Sequence, residues 1–110
     1  MITHIVFWKL LDDENHSAEE NGARIKRELE ALVGVIPGLL SAQVGAALNP
    51  GDYNLCLLST FENTEVLKAY RTHPEHVKVA DFVHTVISSR TAFDFESDNI
   101  MDSGIDPYVF

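Results

Sequence analysis

Apolar positions along this chain recur with two different periods, and the switches between them delimit its elements. Residues 2 to 11 contain Ile5, Val6, Phe7 and Trp8 in one run without Gly or Pro, the composition of a strand. The even positions of that strand (Ile2, His4, Val6, Trp8, Leu10) and its odd positions (Ile5, Phe7, Leu11) are both largely apolar. After a polar turn, Ser17-Ala18-Glu19-Glu20 has the spacing of a capping box, with Ser17 as N-cap and Glu20 three residues on. Ile25, Leu29, Leu32 and Ile36 then recur at intervals of 4, 3 and 4, which predicts a helix running to the stop at Pro37-Gly38. Leu39 to Leu48 reads as a second strand and Asn49-Pro50-Gly51-Asp52 as a turn. Tyr53 to Phe61 completes a hairpin as the third strand. Asn63 is placed to cap a short helix through Tyr70. That helix must break at Pro74, which disfavours helical geometry in the residue before it and suits the first turn of the next. The apolar stripe of the following helix is Val79, Phe82, Val83 and Val86. Ser88 to Glu96 alternates as a last strand, with Thr91, Phe93 and Phe95 on one face and Arg90, Ala92, Asp94 and Glu96 on the other.

Strand, helix, strand, strand, broken helix, strand is the order of a ferredoxin-like α+β unit, βαββαβ. The expected sheet has its first and third strands parallel at the centre and its last strand antiparallel beside the first. Both crossovers pack their helices on the same face. A first strand that is apolar on both sides then needs a second cover, and another copy of the same sheet supplies it. The expectation is a homodimer enclosing a dimeric α/β barrel.

Length and composition narrow this picture. The 110 residues, 45% of them hydrophobic, suit one domain over residues 1–97, followed by an acidic tail over 98–110 that ends in the apolar Pro107-Tyr108-Val109-Phe110. No apolar run approaches the roughly 20 residues of a membrane span, and the run at residues 5 to 8 is too short and too early for a secretory signal. Eight basic against 17 acidic residues give a net charge of −9, which argues against nucleic acid or an anionic membrane as partner. Three of the acidic residues, Asp98, Asp102 and Asp106, lie in the tail. Cys56 is the lone cysteine, so no intrachain disulfide forms, and a cytoplasmic location is the simplest expectation.

Candidate chemistry concentrates in two places. Antiparallel pairing of the first and last strands sets His4 beside Asp94. If Phe93 and Phe95 face the helices, Asp94 faces the open side of the sheet. A carboxylate beside an imidazole fixes its tautomer, as a proton-transfer site requires. From spacing alone the pair reads more readily as polar groups closing the end of a barrel. The second place is Tyr70-Arg71-Thr72-His73-Pro74-Glu75-His76-Val77, a phenol and two imidazoles around the forced helix break. Tyr and His there can supply an acid and a base, or donors to a developing oxyanion. His73 and His76 have metal-ligand spacing but no identifiable third ligand, and His73 fits better as the cap of the helix that Pro74 begins. No metal is therefore expected. His16 and His84 read as solvated, and Cys56 as a buried inert thiol. Gly-rich phosphate loops, paired cysteines and a nucleophile elbow are absent, so no ATP, NAD or other cofactor is expected.

The opening His4-Ile5-Val6-Phe7-Trp8-Lys9, the corner Ile36-Pro37-Gly38-Leu39, the stretch Leu58-Ser59-Thr60-Phe61-Glu62, the run Tyr70 to Val77 around His-Pro-Glu-His and the closing Phe93-Asp94-Phe95 together resemble the stress-responsive dimeric A/B barrel (Dabb) family. The resemblance spans residues 2 to 97. It implies a ferredoxin-like fold, a homodimeric barrel and a small apolar or aromatic ligand with no assigned activity, in a family partly named for accumulation under stress. It also implies an alternative, because the family includes a plant polyketide cyclase that works without a cofactor by intramolecular aldol condensation. That enzyme's catalytic tyrosine and histidine match Tyr70 and His76, and its pocket His and Asp are similar to His4 and Asp94. Val6 and Trp8 would line the same pocket. Two further polar pocket residues of the cyclase match Leu29 and Leu55, so the resemblance implies a more apolar pocket here. Other dimeric barrels of this shape suggest a third activity, cofactor-free monooxygenation, by analogy of fold alone.

Overall fold

A computed structural model describes residues 1–97 of the chain, and the acidic tail expected over 98–110 lies outside the described residues. The elements are β1 (Ile2–Leu10), α1 (Ala18–Glu30), β2 (Leu39–Ala46), β3 (Leu55–Phe61), α2 (Thr64–Thr72), α3 (Pro74–Thr85) and β4 (Ile87–Glu96). The four strands form one sheet in the order β2-β3-β1-β4 with the helices on one face, the ferredoxin-like arrangement. Among the described residues no helix is long and apolar enough to cross a membrane.

Each pairing in the sheet is antiparallel, including β1 with β3, which corrects the parallel centre expected from the element order. The reason is geometric: the α1 crossover makes β2 run the same way as β1, and the β2–β3 hairpin then reverses β3 against both. Register follows from this, with Ile2 opposite Phe61 and Trp8 opposite Leu55 on one side of β1, and His4 opposite Asp94 on the other.

Local signals place the helices. Ser17 and Glu20 close the capping box of α1, the Ser17 side chain accepting from the Glu20 N–H at 3.1 Å. That helix ends at Glu30, earlier than the apolar spacing predicts. Leu32 and Ile36 still reach the core, but from a series of turns in which Gly34 takes φ +90°. The left-handed conformation stops a helix, and glycine adopts it without a steric penalty. Asn63 caps α2, and His73 caps α3 with its Nδ1 accepting from the Glu75 N–H at 3.1 Å. The residue that ends α2 thus begins α3, and Pro74 fixes the angle between them.

The core lies between helices and sheet, where Val6, Trp8, Ile25, Leu29, Leu57, Phe61, Val79 and Val83 are buried. Phe82, at the edge of the α3 stripe, is half-buried beneath the Arg24 guanidinium, 3.6 Å from the ring centre. On the opposite face of the sheet, Phe7, Leu58, Phe93 and Phe95 are exposed, the last two packed together at 6.1 Å between centroids. That placement reverses the orientation expected for β4. Residues directly opposite in an antiparallel pair share a face, so Asp94 follows His4 to the helix side and its aromatic neighbours go to the open side.

Candidate functional site

The break between α2 and α3 opens a cavity of about 310 Å³ over the helix-facing side of β1, at the small end of the roughly 300–1,000 Å³ usual for ligand sites. Its floor is β1, whose alternation sends His4, Val6 and Trp8 to that side. Leu29 and Leu57 make further apolar wall, and Tyr70 and His76 come from either side of the helix break. The residues predicted from the sequence therefore meet, although they come from three separate elements. Asp94 is joined to them through His4, with its Oδ1 at the His4 Nδ1.

Tyr70 and His76 stack with their ring centroids 4.0 Å apart. Behind them Phe61 meets Tyr70 edge-on at 4.9 Å and His4 at 6.2 Å, so one aromatic series connects the two chemically capable groups. Burial pushes the Tyr70 hydroxyl well above its usual pKa, which keeps the phenol protonated as a donor. The His76 ring is driven the other way: burial is the main cause, a hydrogen bond with the Arg71 backbone opposes it, and the charges of His4, Arg90 and His73 each add a smaller downward push. Among the described residues the buried Nδ1 of His76 has no hydrogen-bond partner. A neutral imidazole with an unsatisfied nitrogen beside a protonated phenol is suited to accept a proton at one ring and donate one at the other.

The second group is an ion-paired chain. Asp94 holds His4 with one oxygen and, with the other, accepts from Arg71 Nη2 at 3.1 Å. Two cations not expected at the site also belong to it: Arg71, on the exposed side of α2, and Arg90, which lines the cavity from the β4 position paired with Trp8. The alternation of β4 already put Arg90 on the face of Asp94, and that was the available signal. His84 also lines the cavity while remaining exposed. His73 is set apart from this chemistry by its capping bond, and Cys56 is half-buried on the open side of the sheet with burial pushing its thiol up.

The sequence matches the family described as Dabb, stress responsive A/B barrel domain, over residues 2–97. The chain belongs to the Dabb family. Among solved structures, a dimeric protein of unknown function with a ferredoxin-like fold from Bacteroides fragilis is similar at 34% identity and a TM-score of 0.74, over 86% of this chain and 94% of that one. A dimeric ferredoxin-like protein of unknown function from Jannaschia shares 21% identity at a TM-score of 0.73, over 86% of this chain and 97% of its own. A hydroxynitrile lyase from Passiflora edulis has the same fold at 16% identity and a TM-score of 0.72, over 86% of this chain and 90% of its own. No curated protein matches the chain. The Dabb match takes in both halves of the site described above, His4 with Asp94 and Tyr70 with His76.

Proposed function

We propose that this Dabb protein is a homodimer that takes a small apolar or aromatic molecule into the cavity between β1 and the α2–α3 break. The observation that carries the reading is the cavity itself, about 310 Å³ of largely apolar space ending at Tyr70 and His76. The open sheet face supports the dimer, because Phe7, Leu58, Phe93 and Phe95 expose an apolar surface of the kind that a second copy covers. The similar protein from Bacteroides fragilis is described as dimeric. Light scattering at micromolar concentration is expected to give about twice the 12.3 kDa chain mass. A mass of one chain would contradict the dimer.

The unpartnered Nδ1 of His76 favours a more specific second reading, proton transfer without a cofactor, as in an aldol-type cyclase. His76 would remove a proton α to a carbonyl, and Tyr70 would hold the enolate oxygen that forms by donating a hydrogen bond from its hydroxyl. Val6 and Trp8 would hold the apolar part, with His4 and Asp94 fixing the polar end of the pocket. Benzoylacetone in D₂O provides a direct assay, since its α-protons exchange when a base removes them. The protein is expected to accelerate that exchange, and His76→Gln to lower the acceleration by about 10²- to 10⁴-fold, the usual contribution of a positioned base. Exchange unchanged in His76→Gln would overturn the proton-transfer reading and leave ligand binding standing.

A further inference from the structure

The cavity is apolar along Val6, Trp8, Leu29 and Leu57 and cationic at Arg71 and Arg90, but those two cations are in different situations. Arg71 is engaged with Asp94 at 3.1 Å. Arg90 has no carboxylate within ion-pair distance among the described residues, whereas Arg24, Lys26 and Lys78 on the surface each hold a glutamate. Among the described residues Lys9, Arg27 and Lys68 also lack a carboxylate partner, so what distinguishes Arg90 is its place on the wall of this cavity. Its charge also reaches the His76 ring, where it opposes protonation, so the guanidinium and the imidazole share one electrostatic environment. The nearest carboxylate on the same strand face, Asp94, already serves His4 and Arg71. The cavity therefore combines an apolar body with a cationic end lacking an internal counter-charge.

Resting on the reading of this cavity as a small-molecule site, we propose that its ligand is an acid, with an apolar or aromatic body against Trp8 and Leu29 and a carboxylate received by the Arg90 guanidinium. The planar fork of arginine matches the two carboxylate oxygens, and a charge-assisted pair adds both affinity and orientation. Arg90 is exposed, so solvent screens the pair and the gain is modest. A carboxylate anchored there fixes which part of the ligand faces His76.

Two probes of the same shape and different charge test this: 4-propylbenzoate and 4-propylbenzamide, titrated separately against the emission of Trp8, the single tryptophan of the chain. The benzoate is expected to bind about tenfold more tightly than the amide, the scale of one charge-assisted pair at a partly solvated site. In Arg90→Gln the two probes are expected to bind alike, and in Arg90→Lys part of the preference should return. Equal affinities in the natural protein, or a preference that survives in Arg90→Gln, would overturn the acid proposal while amide binding upheld the cavity. Binding of neither probe at millimolar concentration would overturn the cavity reading and this inference with it.

Discussion

At the scale of single residues, the proposed chemistry depends on what burial does to Tyr70 and His76. Tyr70 is 3% exposed and packs against Phe61 and His76, so the ring and the hydroxyl have separable roles. Tyr70→Phe keeps the ring and is expected to melt within a few degrees of the natural protein. Tyr70→Ala removes a buried aromatic ring and is expected to lose about 3–5 kcal/mol in denaturant unfolding, as such truncations do. For His76 the sign follows from linkage: the folded state lowers its proton affinity, so the unfolded chain binds more protons as pH falls below about 6.5. Stability is therefore expected to be full above that pH and to fall below it, and the urea midpoint should drop less between pH 7 and 5.5 in His76→Gln. Much of this site was legible in the sequence. His4 and Asp94 follow from strand pairing, and Tyr70 and His76 from the forced break at Pro74. The alternation of β4 gives the face of Arg90, whereas Arg71 is harder to read, because the direction taken by a long side chain on an exposed helix surface is not set by its period.

At the scale of elements, short polar signals located the starts of helices better than apolar spacing located their ends. Ser17, Asn63 and His73 all cap as their positions imply, and Ser17→Ala is expected to cost about 1 kcal/mol. The end of α1 was misread because Leu32 and Ile36 continue to face the core after the helix has stopped, so their burial imitates another two turns of helix. A similar ambiguity affected β4. Its alternation fixed which residues share a face, but only the register against His4 decided which face meets the helices. Gly38 fixes the entry to β2: it has φ +86°, and an added Cβ would lie 2.6 Å from a Val66 methyl. Gly38→Ala is accordingly expected to destabilise by about 1–3 kcal/mol in denaturant unfolding, from strain and overpacking together. Glu30 links two elements, accepting from Lys26 on its own helix and from the Val44 N–H on β2 at 2.9 Å. These contacts, Lys26 foremost, hold its carboxyl below the usual range.

At the scale of the whole molecule, the two faces of one sheet have different uses. The helix side holds a core and the cavity, and the open side presents apolar residues that no helix among the described residues covers. The barrel is expected both from β1, whose even and odd positions are apolar while the helices cover one face, and from the Dabb resemblance, and the Dabb match agrees with it. The net charge of −9 bears little on the site, since three of the negative charges lie beyond residue 97 and the cavity itself carries Arg71 and Arg90. The proposed ligand occupies the space beside Trp8, and Ala80 on the cavity wall gives a way to close that space. The decisive measurement is the titration of Trp8 emission with 4-propylbenzoate in the natural protein and in Ala80→Phe, with circular dichroism confirming that the variant is folded. Saturable quenching in the natural protein that disappears in folded Ala80→Phe is the expected result. No saturable change, or the same change with the cavity filled, would contradict the account.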